Sequence, residues 1–126
     1  MMDKISLTIP KKSEYMSTIR LTTSAISNLK GFNVDEIEDI KVIISEVCTF
    51  FISNIENNSE PLHVKYTINN NNLTVEVTDL NSGEFSEKNK NNSEMCVMII
   101  ESLADCYNID FDNKKIVFEK SINNIK

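Results

Sequence analysis

A carboxylate lies four residues before a phenylalanine in the apolar stretch SEVCTFFISNI, residues 45–55. Residues four apart are neighbours on a helix surface, so Glu46 and Phe50 are expected to lie side by side at the edge of a buried helix face. A carboxylate in such a place is a candidate general base for a bound substrate. A structural or solvated edge residue fits the same pattern, and the sequence leaves both roles open for Glu46.

A second candidate is the acidic residue Asp79, which ends a predicted strand and begins the stretch DLNSG, residues 79–83. An Asp in this position commonly accepts hydrogen bonds from its own backbone and starts a turn. Gly83 is explained by a turn alone. With a single histidine, His63, and three widely spaced cysteines, a metal site or a His-based nucleophile is not expected.

Composition limits the class of protein. The 126 residues fit one domain, 1–126, with 40% hydrophobic and 25% charged residues. The net charge of −6 opposes binding to nucleic acid or to an anionic membrane, and no apolar run is long enough to cross a bilayer. Three cysteines without a CxxC pair are typical of a reducing cytosol, so we expect a cytoplasmic protein.

Hydrophobic spacing predicts the element order β-α-α-β-β-α-β-β. Ile5, Leu7 and Ile9 alternate as in a strand, and a helix follows from the candidate N-cap Ser13 to Lys30. In this helix we expect Tyr15, Ile19, Ile26 and Leu29 on the core side and Arg20, Ser24 and Ser27 on the other.

The second helix begins with a capping-box pattern, Asn33 and Glu36. Two hairpins follow, over 62–79 and 107–122, separated by a polar loop at 80–92 and a third helix from Ser93. We expect the methionines and isoleucines of 95–100 to lie in the core. The sequence therefore predicts an α+β two-layer sandwich, with one mixed sheet covered by helices on one face.

This order, with the residues of IRLTTSAISNLKGFNVDEIEDIKVIISEVCT (19–49), TIPKKSEY before it and IESLAD (100–105), resembles the bacterial anti-sigma factor serine kinases of the RsbW type. These are members of the GHKL superfamily of ATPases and kinases, with the Bergerat (histidine-kinase-like ATPase) fold. The resemblance spans nearly the whole chain. It implies a homodimer and a role in transcription regulation and stress response.

The resemblance also assigns roles to individual residues. It makes Glu46 the general base of an E-x-x-x-N motif, with Phe50 in place of the magnesium-ligating Asn. It makes Asp79 the residue that recognises adenine in D-x-G-x-G, with Asn81 replacing the first glycine and Gly83 matching the second. The phosphate-binding stretch reads NNSEMCVM, without glycine. We therefore expect no resident cofactor, and ATP with magnesium only if the diverged site still works.

The leading hypothesis is an anti-sigma-like regulator, a pseudokinase that acts by protein–protein binding with ATP binding and kinase activity lost. Its partners would be a sigma factor, an anti-anti-sigma (STAS-domain) protein, or both, and the resemblance places Arg20 on the binding face. An active serine kinase that phosphorylates a STAS protein is the alternative. An adaptor unrelated to sigma regulation is a third hypothesis, because one fold serves many functions.

Overall fold

The computed structural model describes residues 2–54, 60–80 and 90–122, and in these ranges the helices and strands follow the predicted order. The elements are β1 (Asp3–Ile9), α1 (Met16–Leu29), α2 (Val34–Asn54), β2 (Leu62–Ile68), β3 (Asn72–Asp79), α3 (Glu94–Leu103), β4 (Cys106–Asp110) and β5 (Lys115–Ser121). A short 3-10 turn, Ser13–Tyr15, precedes α1. Within these ranges no helix is long and apolar enough to span a bilayer.

The five strands form one sheet in the order β1-β2-β3-β5-β4. The predicted α+β class with a helical layer on one sheet is confirmed, but the expectation of a mixed sheet is wrong because all four strand pairs are antiparallel. The reason is that β5, and not β4, lies beside β3. After α3 the chain forms the outer strand β4 first and then turns back, so β5 enters the sheet antiparallel to β3.

The core lies between the sheet and the helices. Alternate residues of β2 and β3 are buried, as their period-2 pattern predicts. The largest fully buried side chains include Tyr66, Phe51, Phe118, Ile19, Ile40, Ile43 and Ile44. Each such aliphatic or aromatic side chain contributes about 1.5–3 kcal/mol by leaving water.

The buried face of α1 differs from the prediction. Ser13 does not cap the helix, because the 3-10 turn moves the start to Met16 and no side chain caps it. Leu29 is 83% exposed and Tyr15 is 37% exposed, whereas Ser27, expected on the polar face, is fully buried. The stripe that faces the sheet is instead Met16, Ile19, Thr23, Ile26 and Ser27.

Two polar groups in this stripe are satisfied by hydrogen bonds. Thr23 Oγ1 lies 2.6 Å from the hydroxyl of Tyr66 on β2 and donates to the carbonyl of Ile19, and Ser27 Oγ donates to the carbonyl of Thr23. A buried hydroxyl without such a partner would be costly, so these bonds allow α1 to present polar residues to the core.

The link between α1 and α2 follows its local sequence. Gly31 has a φ of 85°, which glycine adopts without steric strain, and the amide of Phe32 donates back to the carbonyl of Ser27. The predicted capping box is confirmed. The Glu36 amide donates to Asn33 Oδ1 and the Asn33 amide donates to Glu36 Oε1, both at 2.8 Å.

Helix α3 is buried along a narrower line than expected. Cys96 and Ile100 point into the core, but Met95 and Met98 are 64% and 61% exposed. The prediction of a buried methionine and isoleucine stripe over 95–100 is therefore wrong for the methionines. Only residues one helical turn apart share the inner face, and Cys96 and Ile100 occupy it.

Candidate functional site

The Phe50 ring is part of the core. Phe50 is 5% exposed. Its ring centroid lies 5.8 Å from that of Phe51 and 6.0 Å from that of Phe111, which follows β4. Both rings are tilted, which is a favourable arrangement for aromatic pairs at this distance. The position that the resemblance assigns to a magnesium-ligating Asn is thus filled by hydrocarbon that joins α2 to the end of β4.

Glu46 lies one turn before Phe50 on α2 and is half-buried. It borders a small pocket of about 130 Å³ between α2 and the start of α3, and Phe50 forms part of the lining. Sites for small molecules usually enclose about 300–1,000 Å³. The other described lining residues are Thr49, Ser53, Asn92, Met95 and Cys96.

Two buried thiols lie near these cavities, Cys96 close to the Glu46 carboxylate and Cys48 close to Arg20. Burial, with a smaller contribution from the Glu46 carboxylate, raises the pKa of Cys96 to about 12. Burial also raises the pKa of Cys48 to about 12, and the nearby Arg20 guanidinium opposes this rise. Both thiols therefore stay protonated near neutral pH, and neither is an activated nucleophile.

Asp79 is a buried residue at the end of β3. Its carboxylate accepts a hydrogen bond from Lys11 Nζ, and the two side chains are 0% and 3% exposed. Lys11 lies in the connection between β1 and α1, 68 residues away. Burial lowers the pKa of Lys11, and the hydrogen bond and charge of Asp79 oppose this shift. The residue expected to recognise adenine is thus engaged by a lysine of the same chain.

Arg20 lies in a second, shallow groove between α1 and α2, with a volume of about 280 Å³. Glu46 lines this groove as well, so it lies between the two cavities. The remaining lining residues are Glu38, Lys41, Val42 and Ser45. The neighbouring Leu21 is 71% exposed and Val42 is 41% exposed. The groove therefore combines charges of both signs with the exposed apolar side chain of Val42, and the exposed Leu21 follows Arg20 in the chain.

The structure brings Arg20, Glu46 and Phe50 to adjoining parts of α1 and α2. Asp79 is tied to Lys11, and Asn81 and Gly83 lie outside the described residues. The sequence did not indicate that Lys11 contacts Asp79, because two successive lysines after Pro10 are typical of a connection that is exposed to solvent. No spacing in the sequence predicts an ion pair between Lys11 and a residue at a strand end 68 positions later.

Comparison with protein families matches residues 9–119 to the histidine kinase-like ATPase domain. The chain belongs to this family. The fold described above is the family's fold, and the resemblance to RsbW-type serine-protein kinases is confirmed by curated relatives.

Curated relatives of this family member are serine-protein kinases named RsbW. The protein of Halalkalibacterium halodurans is 32% identical over 77 residues, which are 61% of this chain and 48% of that protein. The protein of Bacillus thuringiensis is 51% identical over 47 residues, 37% of this chain and 29% of that protein. The matches therefore span about half or less of these relatives.

A solved structure shares the fold. The RsbU and RsbW domains of Rv1364c from Mycobacterium tuberculosis match with a TM-score of 0.72 and 14% identity, over 94% of this chain and 32% of that one. At this identity the likeness concerns the fold alone.

A family of ATPase domains implies a magnesium-bound nucleotide, and the described residues do not fit one at the expected place. Phe50 offers no ligand atom, and Asp79 is engaged by Lys11. Among the residues that the structure describes, no group of three or more His, Cys, Asp or Glu side chains could hold a metal ion.

Proposed function

We propose that this family member is an anti-sigma-like regulator, which acts by binding other proteins and no longer binds ATP or transfers phosphate. The observation that carries the proposal is the burial of Phe50 against Phe51 and Phe111. A ring in the core at this position replaces a metal ligand by packing, and magnesium requires oxygen ligands in near-ideal geometry. The Lys11–Asp79 ion pair supports the same conclusion.

The proposed partners are a sigma factor, a STAS-domain protein, or both, in the cytosol, and the protein acts as a homodimer. The surface proposed for binding is the α1–α2 groove with Arg20. An arginine beside exposed apolar side chains is a common composition for a protein interface. The net charge of −6 favours basic segments of a partner by electrostatic steering.

The first test is nucleotide binding, measured by calorimetry and thermal shift with ATP and ADP, with and without Mg²⁺. A ligand at about 100 times its Kd stabilises a fold by roughly 2.7 kcal/mol, so the proposal expects no shift at millimolar nucleotide. A clear magnesium-dependent shift would overturn it.

The second test addresses the partner surface. Arg20→Gln is expected to reduce the recovery of a sigma factor or STAS protein from the native cytosol. The matched control is Lys65→Gln, which removes one positive charge from the outer face of β2. Equal recovery with both variants would rule out the Arg20 surface, and no recovery by the unmodified protein would count against the partner class.

One observation favours the alternative of an active serine kinase. Glu46 retains the position of the general base, is half-exposed and borders both cavities. If the unmodified protein phosphorylates a STAS protein in the presence of magnesium, and Glu46→Ala does not, the alternative is established and the binding-only proposal is contradicted.

A further inference from the structure

The outer edge of β4 is open to a further strand. β4 (Cys106–Asp110) ends the strand order of the sheet, and within residues 2–54, 60–80 and 90–122 no strand pairs with its other side. Alternate backbone N–H and C=O groups of an edge strand point away from the sheet, where they can pair with an added strand. Native proteins commonly block such an edge with lysine or proline, and residues 106–109 contain neither. β4 therefore offers main-chain hydrogen bonds to an extended segment.

On the side of the helices, large side chains border this edge. Tyr107 lies opposite the buried Phe118 of β5, is 42% exposed, and donates its hydroxyl to Glu101 Oε2 at 2.7 Å. Met98, three residues before Glu101 on α3, is 61% exposed. The hydrogen bond orients the Tyr107 ring before any partner binds, so less side-chain freedom is lost on binding. Tyr and Met are also among the residues enriched at protein interfaces.

Two cavities lie along β4. The first, of about 200 Å³, lies across β4 and β5 and is lined by Cys106, Asn108 and Val117 among others. The second, of about 370 Å³, extends from Asn108 to Asp112, past the end of the strand. Side chains two positions apart in a strand share one face and lie about 7 Å from each other. A strand added to β4 can therefore place one side chain at each cavity.

The charges along this edge are mostly acidic. Asp110 and Asp112 line the second cavity, and Lys90 is the one base among its described lining residues. Glu119 lines the first cavity. Hydrogen bonds from Asn113 hold the pKa of the Asp110 carboxyl below its usual range, so this carboxylate is ionised at neutral pH. Together with the net charge of −6, these acids favour a basic partner segment.

We propose that the β4 edge binds an extended, basic segment of a partner protein by strand addition. The segment pairs with β4 through its main chain, places an apolar side chain over Val117, and places a lysine or arginine beside Asp112. In strand addition, main-chain hydrogen bonds supply affinity and alternate side chains supply specificity. The inference rests on the proposed function only in that the protein acts by binding other proteins, and its two cavities share no lining residue with the α1–α2 groove.

The first test uses a short synthetic peptide in which threonine alternates first with valine and then with lysine. The valines and lysines share one face of the extended peptide, and threonine favours strand conformation. The peptide is titrated into isotope-labelled protein, and the amide chemical shifts are followed by NMR. We expect saturable shifts that are largest in β4 and absent from the opposite edge strand β1. No saturable shift, or shifts that are largest in β1, would overturn the proposal.

Two N-methylated versions of the peptide separate strand addition from nonspecific contact. N-methylation removes a backbone N–H donor and leaves the side chain unchanged. One version is methylated at every second residue and the other at the remaining residues. Only one of these sets faces β4 in a paired strand, so one version is expected to lose binding and the other to retain it. Equal behaviour of the two versions would contradict strand addition.

The role of charge is tested with Asp112→Asn, which removes an exposed carboxylate beside the second cavity. An exposed ion pair contributes little, so binding at low salt should weaken about two- to fivefold. The matched control is Asp3→Asn, which removes an exposed carboxylate from β1 and should leave binding unchanged. A peptide with glutamate in place of lysine should not bind. Equal affinities of the two variants, or binding of the glutamate peptide, would count against a basic segment.

A second copy of this chain is the competing occupant of the edge. If the β4 amide shifts change with protein concentration in the absence of peptide, a second copy fills the edge and the proposed occupant is wrong. Recovery of partners by Arg20→Gln and binding of nucleotide test the proposed function instead. Those results do not depend on the peptide titration, so a failure of either proposal can be told from a failure of the other.

Discussion

Replacing Phe50 tests whether this residue is a structural part of the core. Its residue is 5% exposed and its ring packs on Phe51 and Phe111. Truncation of a buried Phe to Ala generally costs about 3–5 kcal/mol, through lost burial and the cavity left behind. Of this, the two aromatic pairs account for about 0.5–1.5 kcal/mol each. We expect Phe50→Ala to destabilise the protein by about 4 kcal/mol.

Phe50→Asn, which introduces the residue expected from the resemblance to the E-x-x-x-N motif, should destabilise the protein at least as much, because it also places an amide among apolar rings. Urea denaturation followed by circular dichroism measures both variants. With a slope of about 2 kcal/mol per M, a loss of about 4 kcal/mol lowers the midpoint by about 2 M. The control is Val42→Ala on the same helix, where the side chain is 41% exposed, and a change within about 0.5 kcal/mol is expected.

A Phe50→Asn variant that stays within about 1 kcal/mol of the unmodified protein would show that Phe50 is not a structural part of the core. Gain of magnesium-dependent ATP binding by that stable variant would be stronger evidence against a structural role for Phe50. It would mean that the metal site needs only its missing ligand, and that the packing of Phe50 does not exclude it.

Three further predictions concern stability. Burial raises the pKa of the Cys48 and Cys96 thiols from 9.0 to about 12, so their stabilising effect is complete below pH 9 and is lost as the pH rises toward 12. The loss at pH 10 is on the order of 1 kcal/mol per thiol. Urea midpoints under reducing conditions should therefore fall less steeply with pH in the double Ala variant, and an unchanged pH dependence would contradict this. Asn33→Ala removes the acceptor of a capping bond of 2.8 Å and should cost about 1 kcal/mol, so an unchanged melting curve would be inconsistent with the capping role. For the 2.6 Å contact between Thr23 and Tyr66, a double-mutant cycle of Thr23→Val and Tyr66→Phe should give a coupling of about 0.5–1.5 kcal/mol, whereas additive effects would show that the bond contributes nothing.

Elements whose signals are local were predictable from the sequence. The alternation in β2 and β3 gave the buried face of the sheet, because side chains of a strand point to opposite sides in turn. The capping box at Asn33 and Glu36 was equally readable, since both partners lie within one turn. The position of Phe50 beside Glu46 followed from helical spacing, and its reading as a substitution for Asn rested on the resemblance to the E-x-x-x-N motif.

Details of exposure were less predictable. Leu29, Met95 and Met98 are apolar but exposed, while Thr23 and Ser27 are polar but buried. Residue type favours one side of a helix, but the side that faces the sheet is set by where the helix begins and how it crosses its neighbours. For α1, the 3-10 turn before Met16 sets which side of the helix faces the sheet, and the residue types in this stretch do not predict that turn.

The sequence by itself determined the element order and the sheet's buried face, because each depends on neighbours within one turn or one strand, and its resemblance to the E-x-x-x-N motif indicated that Phe50 stands in the place of a metal ligand. Tertiary structure alone decided that β5 lies beside β3, that Phe50 meets Phe111, and that Lys11 reaches Asp79. These contacts join residues far apart in the chain. Their partners are chosen by packing and by the need to pair buried charge, and neither is encoded in local spacing.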